Sequence, residues 1–328
     1  MASARRAALT AAEERVSRMF PHPLLWGGLG LVIAADTALA WWLGIRVVID
    51  DKARLMLMLI AGLAGLSLLL NRRGMDKAAV MFAAVAFFGL FGLAGSTLNY
   101  LTVALGRPLI DAKLAAIDAW LGFDWMGYFA FTGAHPMWGQ LLSWAYQSFF
   151  ALFPLTLVWL IITGRTARLR MFAFLYVFTA LACVLIGGAF PALGAFAHYQ
   201  PAPELHAQVP LAGEGPYLAQ MIGFHGGTMK ELVLSKLEGI VTFPSFHTVM
   251  ALMFAWAFRG TILQWPMYAW SALTIASTPV IGHHYAIDII GGVAVFALVL
   301  WALKRLEPAR AGMAAAHPGR RRLPQPAE

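Results

Sequence analysis

An all-α, polytopic membrane protein is predicted by three observations. Hydrophobic residues make up 60% of the 328 residues and charged residues only 12%, against roughly 45–50% and 25% in soluble globular chains. Apolar runs of about 20 residues, the length that crosses a bilayer as a helix, recur along most of the chain. We therefore place about eight transmembrane helices in a single membrane-embedded domain over 24–305, with a charged leader over 1–23 and a tail over 306–328.

The leader carries Arg5, Arg6, Glu13, Glu14, Arg15 and Arg18. Thr10 stands three residues before Glu13, the spacing of a capping box, which reads as a short helix on the cytoplasmic surface. The first apolar run, 24–48, outlasts the core of a cleavable signal peptide and lacks a small-residue cleavage site after a short core, so it is the first span. The remaining spans are 54–71, 78–104, 138–163, 170–192, 245–260, 264–281 and 284–303. After the third, Leu109, Ile110, Leu114, Ile117 and Leu121 follow helical spacing while Asp111, Lys113 and Asp118 point elsewhere, as in a helix lying at the interface. The segment 194–242 is rich in Gly, in Pro (Pro201, Pro203, Pro210, Pro216) and in His (His198, His206, His225). Such a long, partly irregular loop beside a site commonly serves as a lid or binding loop. The tail, rich in Ala, Pro and Arg, is expected to be disordered.

Basic residues set the orientation. On this threading one face holds the leader, Arg72, Arg73, Lys77, Arg165, Arg168, Arg170, Arg259 and the basic tail, while the other holds only Arg46, Lys52, Arg54, Arg107, Lys113, Lys230 and Lys236. Both termini are therefore expected to be cytoplasmic. The net charge of +8 is largely an orientation signal, and no aromatic-interleaved basic patch points to nucleic acid. The single cysteine, Cys183, excludes an internal disulfide framework and a multi-cysteine metal site. Asp36, in mid-span, is a functional candidate by default, but is read as a bundle-facing acid with a polar partner. Gly62 with Gly65, and Gly89 with Gly92, read as close-packing sites between helices. The 12 tryptophans and 15 methionines read as interface anchors and as lipid-facing or core filler.

Two strings carry chemistry, Phe243-Pro244-Ser245-Phe246-His247 and Gly282-His283-His284-Tyr285-Ala286-Ile287-Asp288. Both fall at the non-cytoplasmic ends of spans, as does Arg107, so they can meet in one pocket. His284 and Asp288 are four apart at a helix start and share a face. An aspartate holding one ring nitrogen fixes the tautomer and leaves the other free to attack an electrophile. Read blandly, the pair only satisfies two polar groups at a membrane boundary. Ser245 is a good helix cap, and free N–H groups at a helix start bind anions. His247, one turn into the membrane, has no purely structural need.

Together the strings resemble the second and third motifs of the type-2 phosphatidate phosphatase superfamily, in the variant shared with inositol phosphorylceramide synthases and related bacterial membrane proteins. The match covers spans six to eight well and the rest mainly in hydropathy. Gly106-Arg107-Pro108 resembles the end of the first motif, although the family's lysine seven residues earlier is Tyr100. The arginine that opens the usual third motif is replaced by Thr278, as also happens in the phosphorylceramide synthase branch. The resemblance implies a six-helix phosphatase-type core in a bacterial inner membrane, with the site on the periplasmic face. It implies His284 as the nucleophile that takes the phosphoryl group, Asp288 as its orienting partner and His247 as general acid and base. Ser245, Arg107 and His283 would hold the phosphoryl oxygens. No metal or other cofactor is expected, and the partners are a lipid phosphoester and membrane lipids, without nucleic acid.

A phosphomonoester carries about −1.5 to −2 at pH 7 and a diester about one negative charge, so a pocket poor in arginine suits a diester, unless Lys230, Lys236 or His283 supplies the charge. The leaning is toward phospho-headgroup transfer. The alternatives are a plain lipid-phosphate phosphatase, for phosphatidate or polyprenyl diphosphate, and, in another class, a transporter or channel with a His/Asp relay. The relay is disfavoured because the ionisable groups cluster at one membrane face and no repeated halves are seen.

Overall fold

Hydrocarbon offers no partners to backbone amides, so a chain this apolar must satisfy them internally, as helices. The computed structural model, which describes residues 20–210 and 217–315, does so. The leader helix expected around Thr10 and Glu13, and the tail over 316–328, lie outside those residues.

Each predicted span contains helix, although the first, placed over 24–48, ends as helix at Leu43, and Arg46–Val48 is a short strand. The helices of the spans are α1 (Pro23–Leu43), α2 (Asp51–Arg72), α3 (Asp76–Val103), α6 (Pro136–Gln147) with α7 (Phe149–Ile162), α8 (Thr166–Ala189), α12 (Phe246–Phe258), α13 (Gln264–Ile281) and α14 (Ala286–Ala315). Shorter helices between them are α4 (Asp111–Trp120), α5 (Trp125–Ala134), α9 (Ala195–Tyr199), α10 (Pro203–His206) and α11 (Tyr217–His225). Among the described residues, α1, α2, α3, α8 and the 286–306 part of α14 are long and apolar enough to cross a membrane, and α6 with α7 adds a sixth span if the pair counts as one. α14 also runs on to Ala315, into the segment expected to be a tail.

The fourth span departs from expectation, because it is two helices bent by 47°. Pro154 in α7 has no N–H for the carbonyl of Phe150. At the junction the Ser148 hydroxyl donates to the Ala145 carbonyl at 2.6 Å and accepts from the Trp270 indole at 2.8 Å, which holds the break open.

α1, α3, α7, α8, α12 and α14 share one core, in which Leu29, Phe87, Phe91, Leu160, Phe172 and Met253 are buried. Between helices in lipid, close packing rather than water exclusion supplies the cohesion. Gly292 shows how close it is: a Cβ there would lie 2.6 Å from the Ser245 carbonyl, so α14 and the start of α12 meet backbone to backbone. The glycine pairs read as packing sites behave otherwise. Only Gly89 is packed, with a Cβ meeting Ile60 at 3.3 Å, whereas Gly62, Gly65 and Gly92 have nothing within 4 Å. Exposed Trp41, Trp42, Met58, Phe150, Trp265, Leu298 and Trp301 are the lipid-facing residues that such a bundle requires.

A second core gathers at one end, where Leu114 of α4, Trp125 and Phe129 of α5, and Leu142 of α6 pack around Val280, Ile281 and Tyr285. At this end β1 (Arg46–Val48) pairs in parallel with β2 (Glu231–Val233), Arg46 pairs with Glu231, and Ser235 donates to Asp50 at 2.6 Å. At the other end Lys77 donates to the Ile162 carbonyl, and Arg168 to those of Ala257 and Arg259. Residues sorted to one face by charge therefore meet their own kind in space.

Candidate active site

Ser245 begins α12. Its side chain accepts from Thr248 N at 3.3 Å, and its own N–H donates to the Asp288 carbonyl at 3.0 Å. The two strings are thus joined through main chain. Ser245 is fully buried, and its main-chain N–H, already engaged by the Asp288 carbonyl, is not free for an anion. Two residues on, the His247 ring stacks on Tyr146 with centroids 3.9 Å apart and meets the edge of Phe149 at 5.7 Å. The break between α6 and α7 falls between those two aromatics, and it is what lays both against His247.

The second string begins where α13 ends. Gly282 is required there, since a Cβ would lie 2.4 Å from the Tyr146 ring. His283 then takes a left-handed backbone, φ 61°, unusual for a residue with a side chain. Its ring stacks on Phe196 and Tyr217, Tyr217 Oη lies 2.8 Å from its Nδ1, and its carbonyl accepts from Ala195 N at 2.8 Å. Burial pushes the Tyr217 hydroxyl up to about 12, so it stays a donor throughout the neutral range. His284 is only 3% exposed, and its Nδ1 lies 3.1 Å from Asp288 Oδ2, which also accepts Tyr285 N at 2.9 Å. A carboxylate only accepts, so Nδ1 carries the proton and Nε2 is left with its lone pair.

His247, His283 and His284 line one cavity of about 190 Å³, together with Tyr146, Tyr176 and Tyr217, the Gly239–Thr242 stretch, and faces of α3 and α8 that include Cys183. The structure thus brings four predicted residues together, the three histidines and Asp288 behind them. It does not bring Arg107, whose side chain is exposed and whose carbonyl accepts from His225 Nε2 at 2.7 Å. Lys230 and Lys236 line a separate opening with Glu231 and Glu238. Ser277 and Thr278, where the serine–arginine pair was sought, are fully buried and donate to carbonyls of their own helix. Among the described residues no Lys, Arg, Asp or Glu lines the cavity. Asp36 faces the bundle as expected, but its Oδ1 has no hydrogen-bond partner among the described residues.

The aspartates of the interface helix α4 were read as pointing away, and both turn inward. Asp118, with no exposed surface, accepts Ala286 N at 2.7 Å and Ile287 N at 2.9 Å, capping the helix that carries Asp288. Burial raises its carboxyl above the usual carboxylate value, and these two N–H groups pull it back. Asp111 accepts from Leu193 N, Gly194 N and the Tyr285 hydroxyl at 2.9–3.0 Å. One helix thus braces the His-His string from the side. Asp118→Ala would leave two buried N–H groups without an acceptor, and loss of such a cap costs about 1–2 kcal/mol. The expected result is a lower unfolding temperature and a fall in kcat of about tenfold beyond the loss of folded protein. Thermal unfolding and steady-state kinetics on one preparation check it.

No curated relative and no solved structure matches the chain. One family model does, that of the PAP2 superfamily, over residues 112–302. The match opens in α4, takes in Asp118 and both strings, and leaves Arg107 outside. Covering more than half of the sequence, it shows that this chain, an integral-membrane helical protein with paired histidines at one end, belongs to the PAP2 superfamily.

Proposed function

We propose that the protein is a lipid-phosphoester phosphotransferase working through a phosphohistidine, with phospho-headgroup transfer favoured over simple dephosphorylation. Superfamily membership supports phosphatase-type activity on lipid phosphoesters in the membrane. The observation that carries the finer reading is the cavity itself: three histidines and three tyrosines face it, with no Lys or Arg among the described lining residues. A dianionic monoester there would lack a full counter-charge, whereas a monoanionic diester can be held by neutral donors.

In this reading His284 Nε2 gives its lone pair to phosphorus, and the bond from phosphorus to the leaving oxygen breaks. His247, protonated once the anionic substrate is bound beside it, gives that oxygen its proton. The resulting neutral His247 takes a proton from the incoming alcohol or water, whose oxygen displaces Nε2 and restores His284. Asp288 holds Nδ1–H throughout and balances the charge that the phosphorylated ring acquires. Of the residues expected to hold the phosphoryl oxygens, Ser245, Arg107 and His283, this reading keeps His283, whose ring the Tyr217 hydroxyl fixes at Nδ1. Metal independence, cytoplasmic termini and a site on the periplasmic face of a bacterial inner membrane belong to the same proposal. The meeting of like-sorted residues at each end of the bundle supports the orientation.

The test is to assay purified protein against phosphatidate and headgroup-bearing phospholipids, with and without a lipid alcohol. Faster turnover of the headgroup-bearing lipids, with product formed on the alcohol, is expected. Faster turnover of phosphatidate would favour the plain phosphatase instead.

A further inference from the structure

The cavity wall facing the histidines is α3, which presents Gly92, Gly95, Ser96 and Asn99. Asn99 is 4% exposed, and its Oδ1 has no hydrogen-bond partner among the described residues; the helix's own bond near it, from the Thr102 hydroxyl, goes to its main-chain carbonyl. A buried acceptor left unmatched costs about 1–3 kcal/mol, and native proteins keep such atoms where something else satisfies them. A Cβ at Gly92 would meet nothing within 4 Å, so this wall leaves room for an occupant. Phe91, Leu181 and Val184 make the adjoining surface apolar.

The missing partner must be a donor. Phosphoryl oxygens only accept, and the rest of the lining offers space for a small polar group next to hydrocarbon. We infer that Asn99 is a specificity residue whose Oδ1 accepts a hydrogen bond from a hydroxyl group of the lipid substrate. The inference rests on the phosphotransfer reading and adds to it the chemical class recognised: a hydroxylated headgroup or a hydroxyl-bearing acceptor lipid. A site that hydrogen-bonds a substrate hydroxyl rejects the analogue without it, because its own polar atom is then left unpaired.

Phosphatidylglycerol and phosphatidylpropanol differ only in headgroup hydroxyls and test the first source. A long-chain 1,2-diol and the matching 1-alkanol, compared as acceptors, test the second. Wild-type protein is expected to favour the hydroxylated member of one pair by about tenfold or more in kcat/KM, the worth of one such bond. Asn99→Leu should erase that preference, while Asn99→Asp, which keeps the acceptor and loses the amide donor, should retain it. Absence of any preference in the wild type overturns the inference without need of a variant. An equal loss in Asn99→Asp and Asn99→Leu also overturns it, because the amide N–H would then be the group in use. His284-dependent turnover of a headgroup-bearing phospholipid separates the two levels: if it is present without hydroxyl preference, the inference on Asn99 fails alone. If no phospholipid is turned over in a His284-dependent way, both fail.

Discussion

Replacing His284 with alanine is expected to lower phosphoester turnover by about 10⁴-fold or more, the scale seen when a covalent nucleophile is removed. The other two histidines of the cavity are held differently. The His247 ring is stacked on Tyr146, and the His283 ring is stacked on Phe196 and Tyr217 with Nδ1 beside the Tyr217 hydroxyl, whereas His284 Nδ1 is held by Asp288. A substrate labelled in the transferred phosphoryl group should leave acid-labile, base-stable label on wild-type protein and none on His284→Ala. Label retained on the variant would reassign the nucleophile. Unchanged turnover would remove the phosphohistidine and reopen the ion-relay reading.

Asp288→Asn should lower kcat by about 10³- to 10⁴-fold, the upper figure being the loss when the orienting aspartate of a histidine base is neutralised elsewhere. Both hydrogen bonds of Asp288 go to the same oxygen, Oδ2, from His284 Nδ1 and Tyr285 N. An asparagine could keep them through its carbonyl. The charge that balances the phosphorylated ring would still vanish, and the amide NH₂ would occupy the place of Oδ1, which is buried without a partner among the described residues. Most of the loss should therefore appear in kcat rather than KM. The double variant with His284→Ala should be no worse than His284→Ala alone, because the two residues act as a unit. Additive losses would mean that Asp288 acts on something other than His284.

The spans were legible because hydropathy is a bulk property of long segments. The bend in the fourth was not, although Ser148 and Pro154 both stand in it: proline inside a membrane helix is tolerated, and the break falls at Ser148, where the hydroxyl is held by the Trp270 indole of a remote helix. The pairing of His284 with Asp288 was readable from their spacing alone. The roles of Ser245 and Arg107 were not, since they depend on whether a donor is already engaged, and Ser245 N is held by a carbonyl 43 positions away in sequence. Asp111 and Asp118 left a trace in their spacing. Seven residues apart on a short helix, they share one face, and no basic residue within that helix, Asp111–Trp120, stands three or four positions from either to make a helical ion pair. Two carboxylates on one side without cations point to backbone N–H groups as partners. Asn99 and Tyr217 left none, because each acquires meaning only from a wall supplied by remote helices.

The bond from Ser245 N to the Asp288 carbonyl makes the intervening helical stretch a matter of phase. α12 leaves the site and α13 returns to it, and the backbone at Ser245 and Asp288 must meet after the round trip. Each residue of helix turns the chain by about 100° and advances it about 1.5 Å. Substitutions along the exposed side of α13 can accumulate without moving His284. Removing a single residue from the middle of α13 would instead swing the His-His string by more than a quarter turn, away from His247. The interval between the two strings thus tolerates substitution on the exposed face of α13 and is intolerant of any change in length.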